Sequence, residues 1–116
     1  MLVAAIACFA IAAIGGVVLA FLHLSRKNAP VGIAVLHGLL AVAGVILLLV
    51  GMGQGQASRM LITALVLFLI AAVGGLVLIT MHLRLRPLPV PVLLIHALVA
   101  VAAFLTLLVG VLRPAA

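Results

Sequence analysis

The sequence predicts an all-α membrane protein: a bundle of four transmembrane helices built from two tandem helical hairpins. Composition gives the first reason, since 71% of the 116 residues are apolar and only 5% are charged. Soluble domains are about half apolar and about one quarter charged, so this chain has too few polar groups to cover a water-facing surface. Segmentation gives the second: four apolar runs, each of about 20 residues or more, are separated by short breaks rich in Pro, Gly and basic residues. A repeat gives the third, because a shift of 59 residues lays Met1–Gly51 on Met60–Gly110 without a gap.

The first run, Met1–Leu24, has no basic residue ahead of it and is longer than the apolar core of a secretory signal, so it reads as a retained span. Ser25-Arg26-Lys27-Asn28-Ala29-Pro30 breaks the chain before the second run, Val31–Gly51. Met52 to Arg59 reads as a flexible polar linker, followed by the third run, Met60–Leu83. Arg84-Leu85-Arg86-Pro87-Leu88-Pro89 forms the second break, and Pro91 lies early enough in the fourth run, Val90–Leu112, to fit a first helical turn. Each run is long enough at about 1.5 Å per residue to cross a hydrocarbon layer about 30 Å thick. None shows the alternation of a membrane β-barrel strand. The chain thus divides into a hairpin over 1–51, a linker over 52–59, a hairpin over 60–110 and a tail over 111–116.

The repeat aligns Ile11-Ala12-Ala13-Ile14-Gly15-Gly16 with Ile70-Ala71-Ala72-Val73-Gly74-Gly75, His23-Leu24 with His82-Leu83, and His37 with His96. About half of the aligned positions are identical, more than shared hydrophobicity explains without gaps. Two spans per repeat give both copies the same orientation, which relates them by an axis along the membrane normal. Arg26, Lys27, Arg84 and Arg86 then share one face, against Arg59 and Arg113 on the other. That balance expects the hairpin turns in the cytoplasm of a bacterial inner membrane and both termini outside. With six Lys or Arg and no Asp or Glu, the net charge is +6, but the charges lie in short turns. They read as topology signals and lipid headgroup contacts, not as a nucleic-acid surface.

Four histidines stand out, because an ionisable side chain within a span is costly and marks a functional site by default. His23 and His82 precede the basic turns, and His37 and His96 follow them, so all four fall in one leaflet. Measured from the turn, the first pair is about 3 Å deep and the second about 10 Å. Gly or Ala residues, among them Gly16 and Gly75, recur on the histidine faces and leave flat recesses beside the imidazoles. Paired imidazoles on facing helices suit the iron of a haem b, with His37 and His96 the first choice by symmetry and His23 and His82 a second pair. Arg26, Lys27, Arg84 and Arg86 are placed to meet haem propionates.

This arrangement resembles, in a generic way that extends over the whole chain, the membrane b-type cytochromes. The resemblance implies one or two haems, electron transfer on the basic face and a quinone or partner subunit as the exchange partner. The lack of Trp and Tyr fits a small subunit among other membrane subunits, or a homo-oligomer. Other readings stay open. The histidines can serve as hydrogen-bonding glue worth about 1 kcal/mol each in a cofactor-free structural or accessory subunit. They can also bind a transition metal or a chlorophyll-type pigment. No carboxylate is present for a zinc second shell or a proton relay, and no Ser/His/Asp or Cys/His set can be assembled. Cys8 has no cysteine partner, and it reads as a small buried hydrophobe.

Overall fold

The computed structural model describes residues 1–113, which form α1 (Leu2–Leu24), α2 (Val31–Gly51), α3 (Arg59–Leu83) and α4 (Val90–Leu112). All four are long and apolar enough to span a membrane. The tail expected over 111–116 is helical through Leu112, and residues 114–116 lie outside the described residues.

The linker departs from the flexible segment expected over 52–59. Met52–Gln56 prolongs α2 as a wider, π-type segment whose backbone leaves helical angles at Gln54 and at Gly55, where φ is +90°. Ser58 then caps α3 by accepting a hydrogen bond from the Leu61 N–H, which places Arg59 in the first helical turn. Ser is a favoured N-cap because its oxygen takes up an amide that has no partner within the helix. That local chemistry starts α3 one residue earlier than the apolar run suggests.

Both basic turns close their helices in the same way. The Arg26 and Lys27 N–H groups bond back to the His23 and Leu22 carbonyls, and the Leu85 and Arg86 N–H groups to His82 and Met81. This is the Schellman arrangement, which needs a left-handed residue just past the helix and usually takes glycine there. Here Arg26 (φ 57°) and Leu85 (φ 53°) occupy that position. A side chain costs about 1–2 kcal/mol in this region, part of which glycine's greater freedom in the unfolded chain cancels. Leu85, 91% exposed, packs on little, so Leu85→Gly is expected to stabilise the protein by up to about 1 kcal/mol, read as a higher melting temperature in detergent.

The helices close into a square. α1 packs most closely on α2 and α3 on α4, while α1–α4 and α2–α3 complete the ring less extensively. The diagonals are therefore α1 with α3 and α2 with α4. The exterior is hydrocarbon: Val3, Ile14, Val17, Leu98 and many other large apolar side chains are exposed, and no polar or charged described residue is buried. Such an exterior suits lipid and not water. Thr63, Thr80 and Thr106 bond their hydroxyls to carbonyls of their own helices, which removes the cost of exposing them to an apolar medium.

The tight core lies in the half of the bundle away from the basic turns. Leu2, Ala5, Phe9, Leu48, Leu61, Ala64, Phe68, Ala103 and Leu107 form it. At its centre Phe9 of α1 and Phe68 of α3 stack across the diagonal, with ring centroids 3.8 Å apart and planes 3° from parallel. Gly44 makes room for this stack, since a methyl group there would fall within 2.9 Å of three Phe9 ring atoms.

Candidate functional site

Above the phenylalanine stack, toward the basic turns, the bundle brings its four imidazoles together as two pairs. His37 on α2 and His96 on α4 face each other across one diagonal, with ring centroids 6.3 Å apart and planes at 83°. His23 on α1 and His82 on α3 face each other across the other diagonal, with centroids 5.5 Å apart and planes again at 83°. Among the described residues no three His or Cys side chains gather into one metal-binding group. The unit is the pair.

Each deep histidine is held within its own hairpin. His37 Nδ1 lies 2.6 Å from the Ala12 carbonyl oxygen, and His96 Nδ1 lies 2.7 Å from that of Ala71. A carbonyl can only accept, so Nδ1–H is the donor in both bonds. In a neutral imidazole that choice leaves the lone pair on Nε2, the form in which histidine binds a metal while its other nitrogen is anchored to the backbone. Neither Nε2 has a hydrogen-bond partner among the described residues, and neither is sealed from its surroundings.

The glycine doublets make these bonds possible. A methyl group at Gly16 would approach His37 Cε1 to 2.9 Å, and one at Gly75 would approach His96 Cε1 to 3.2 Å. Gly15 and Gly74 lie beside the Cβ atoms of the same two histidines. In an α-helix the carbonyl of Ala12 already accepts the Gly16 amide, and the missing side chain at Gly16 leaves its other lone pair open to the neighbouring helix. The recesses at Gly16 and Gly75 thus receive imidazoles across the hairpin. Sequence spacing had associated them with His23 and His82 on their own helices.

The structure also changes the separation between levels. Because His37 Cβ lies opposite Gly15, eight residues before His23 on α1, the two histidines are roughly 12 Å apart along the bundle, and not the roughly 7 Å that level turns imply. Arg26, Lys27, Arg84 and Arg86 are all exposed, and none is hydrogen-bonded to an imidazole among the described residues. A groove of about 130 Å³ opens onto His96 between α3 and α4, lined by Ile70, Ala71, Gly74, Val92, Ile95 and Val99. A larger cavity of about 470 Å³ lies at the linker end and touches no histidine.

Two parts of this site escape a reading of the sequence alone. The accepting carbonyls of Ala12 and Ala71 have no side-chain signature, although the Gly-Gly doublets that expose them do. Phe9 and Phe68, which floor the site, lie 59 residues apart and so correspond in the repeat. The chain matches no family model, no curated protein and no solved structure.

Proposed function

We propose that the protein is an integral membrane electron-transfer protein or subunit, a duplicated helical hairpin that binds haem b through His37 and His96. One observation carries this reading: two imidazoles on opposite helices, each anchored through Nδ1–H to a backbone carbonyl, keep Nε2 free and face each other at 6.3 Å between centroids. Two imidazoles sharing one metal ion in line have centroids about 6 Å apart, given a metal–nitrogen bond of about 2 Å at each side. Imidazole pairs of this kind would hold a haem iron through Nε2, with the anchoring carbonyls setting ring orientation.

The donor set fits the group, but the space beside it is small. The groove of about 130 Å³ at His96 does not fit a whole macrocycle. Haem supplies one-electron chemistry when bound. The chain's own residues hold the imidazole rings, surround them with apolar helices, and place four exposed cations at the basic turns, where they would meet propionates. Such a subunit exchanges electrons on its basic face with a quinone or a partner subunit. The four-to-two distribution of cations supports a bacterial inner-membrane location with hairpin turns in the cytoplasm.

A second reading is favoured by the same hydrogen bonds: the deep histidines act as pins that hold each hairpin closed in a cofactor-free structural subunit. Visible spectra of the detergent-purified protein, oxidised and dithionite-reduced, separate the two. Haem bound by both imidazoles gives a Soret band that sharpens and shifts on reduction, with split visible bands. A folded protein that stays colourless after exposure to haem leaves only the structural reading.

A further inference from the structure

We propose that His23 and His82 form a binding site for one transition-metal ion, copper or zinc, which bridges α1 and α3 at the basic end of the bundle. The assignment is independent of the haem reading, since its ligands lie on the other diagonal from His37 and His96. Phe9 and Phe68 join α1 to α3 in the opposite half of the bundle, where they stack across the same diagonal. His23 follows Phe9, and His82 follows Phe68, by 14 residues. That spacing is close to four helical turns, so each imidazole returns to the face of its helix that meets the axis. The hairpins pack on each other less extensively than their own helices do, and the tight core ends before this level. The shallow imidazoles therefore face each other where a tie between the hairpins has most to add.

Their spacing suits a shared ion. Two ring nitrogens about 2.0–2.1 Å from one ion put the ring centroids about 5.2–5.7 Å apart, for angles from tetrahedral to trigonal. The observed separation is 5.5 Å. Unlike the deep pair, neither ring is hydrogen-bonded to another group among the described residues, and neither has a nitrogen sealed from its surroundings. Each histidine is one residue from the end of its helix, within reach of ions at the membrane surface. The chain supplies no Asp or Glu, so water completes the coordination. Neutral imidazoles leave the ion its full charge near Arg26, Lys27, Arg84 and Arg86, all of them exposed. Ions that bind imidazole strongly overcome that repulsion, Cu²⁺ ahead of Zn²⁺, whereas Mg²⁺ and Ca²⁺ take oxygen ligands and are refused.

The test titrates the full chain in detergent with Cu²⁺ and with Zn²⁺ in a non-chelating buffer, with Mg²⁺ as the control. Metal per chain is counted by equilibrium dialysis, and thermal unfolding is followed with and without metal. Wild type should bind one ion more per chain than His23→Gln/His82→Gln, and His37→Ala/His96→Ala should keep that ion. The melting temperature should rise with Cu²⁺ or Zn²⁺ and not with Mg²⁺, because the ion joins two helices of the folded bundle. His23→Gln and His82→Gln singly should each weaken binding about tenfold or more, since one imidazole lacks the chelate, and each should remove the rise. Circular dichroism confirms that the Gln variants, which keep a polar side chain at each position, are folded. Metal binding unchanged in His23→Gln/His82→Gln, full affinity in either single variant, or binding without a rise in melting temperature would each overturn the assignment. Failure of the haem reading shows instead as a colourless wild type, so the two outcomes are separable.

Discussion

Replacing His37 and His96 together by alanine is expected to abolish haem binding while leaving the helical content of the bundle unchanged. Each substitution removes the Nδ1–H bond to Ala12 or Ala71 and, on the proposed function, would remove an Nε2 ligand. Low-spin, six-coordinate iron needs both ligands, whereas each interhelical bond is worth only about 1 kcal/mol. The single variants, His37→Ala and His96→Ala, keep one ligand each and should give weakly bound, high-spin haem. Circular dichroism and haem titration on the same preparations separate the two effects. If the histidines were only structural pins, the double variant would lower the melting temperature and change nothing in the optical spectrum.

Phe9→Ala should be the most damaging single substitution for stability. Phe9 is 4% exposed, stacks on Phe68 at 3.8 Å and fills the recess left by Gly44. Truncating a buried phenylalanine costs about 3–5 kcal/mol through lost contacts and the cavity left behind. Phe68→Ala should cost a similar amount, and the double variant less than the sum, since the rings contact each other. Thermal unfolding in a fixed detergent measures all three. A drop no larger than that of a lipid-facing control such as Val17→Ala, where the side chain is 70% exposed, would show that the stack does not hold the hairpins together.

Much of the fold could be read from the sequence because hydrocarbon spans leave few alternatives. Val31–Gly51 and Val90–Leu112 begin and end where the apolar runs do, since Pro30 and Pro89 fix the entry and polar residues mark the turns. The start of α3 was less legible, because Ser58 as a cap acts on an amide three residues away and leaves no trace in hydropathy. At the site, spacing identified all four histidines and their sorting into a shallow and a deep pair, but not which helix each would meet. That depends on how far α1 and α2 slide past each other, and the slide is set by the His37–Ala12 bond and the Gly15-Gly16 recess across the hairpin. Backbone carbonyls carry no residue-type signal, so the anchors that fix the imidazole tautomers could be seen only in three dimensions.

On the proposed function His37 and His96 would ligate one iron from opposite helices, and their ring planes stand nearly perpendicular, at 83°. Perpendicular axial imidazoles leave two of the iron d orbitals nearly equal in energy, whereas parallel ones split them. Electron paramagnetic resonance of the oxidised, haem-loaded protein reads this difference directly. The expected result is a strongly anisotropic low-spin signal, with one dominant low-field feature, that disappears in His37→Ala/His96→Ala. A high-spin signal, an ordinary rhombic low-spin signal, or no haem signal at all would contradict it.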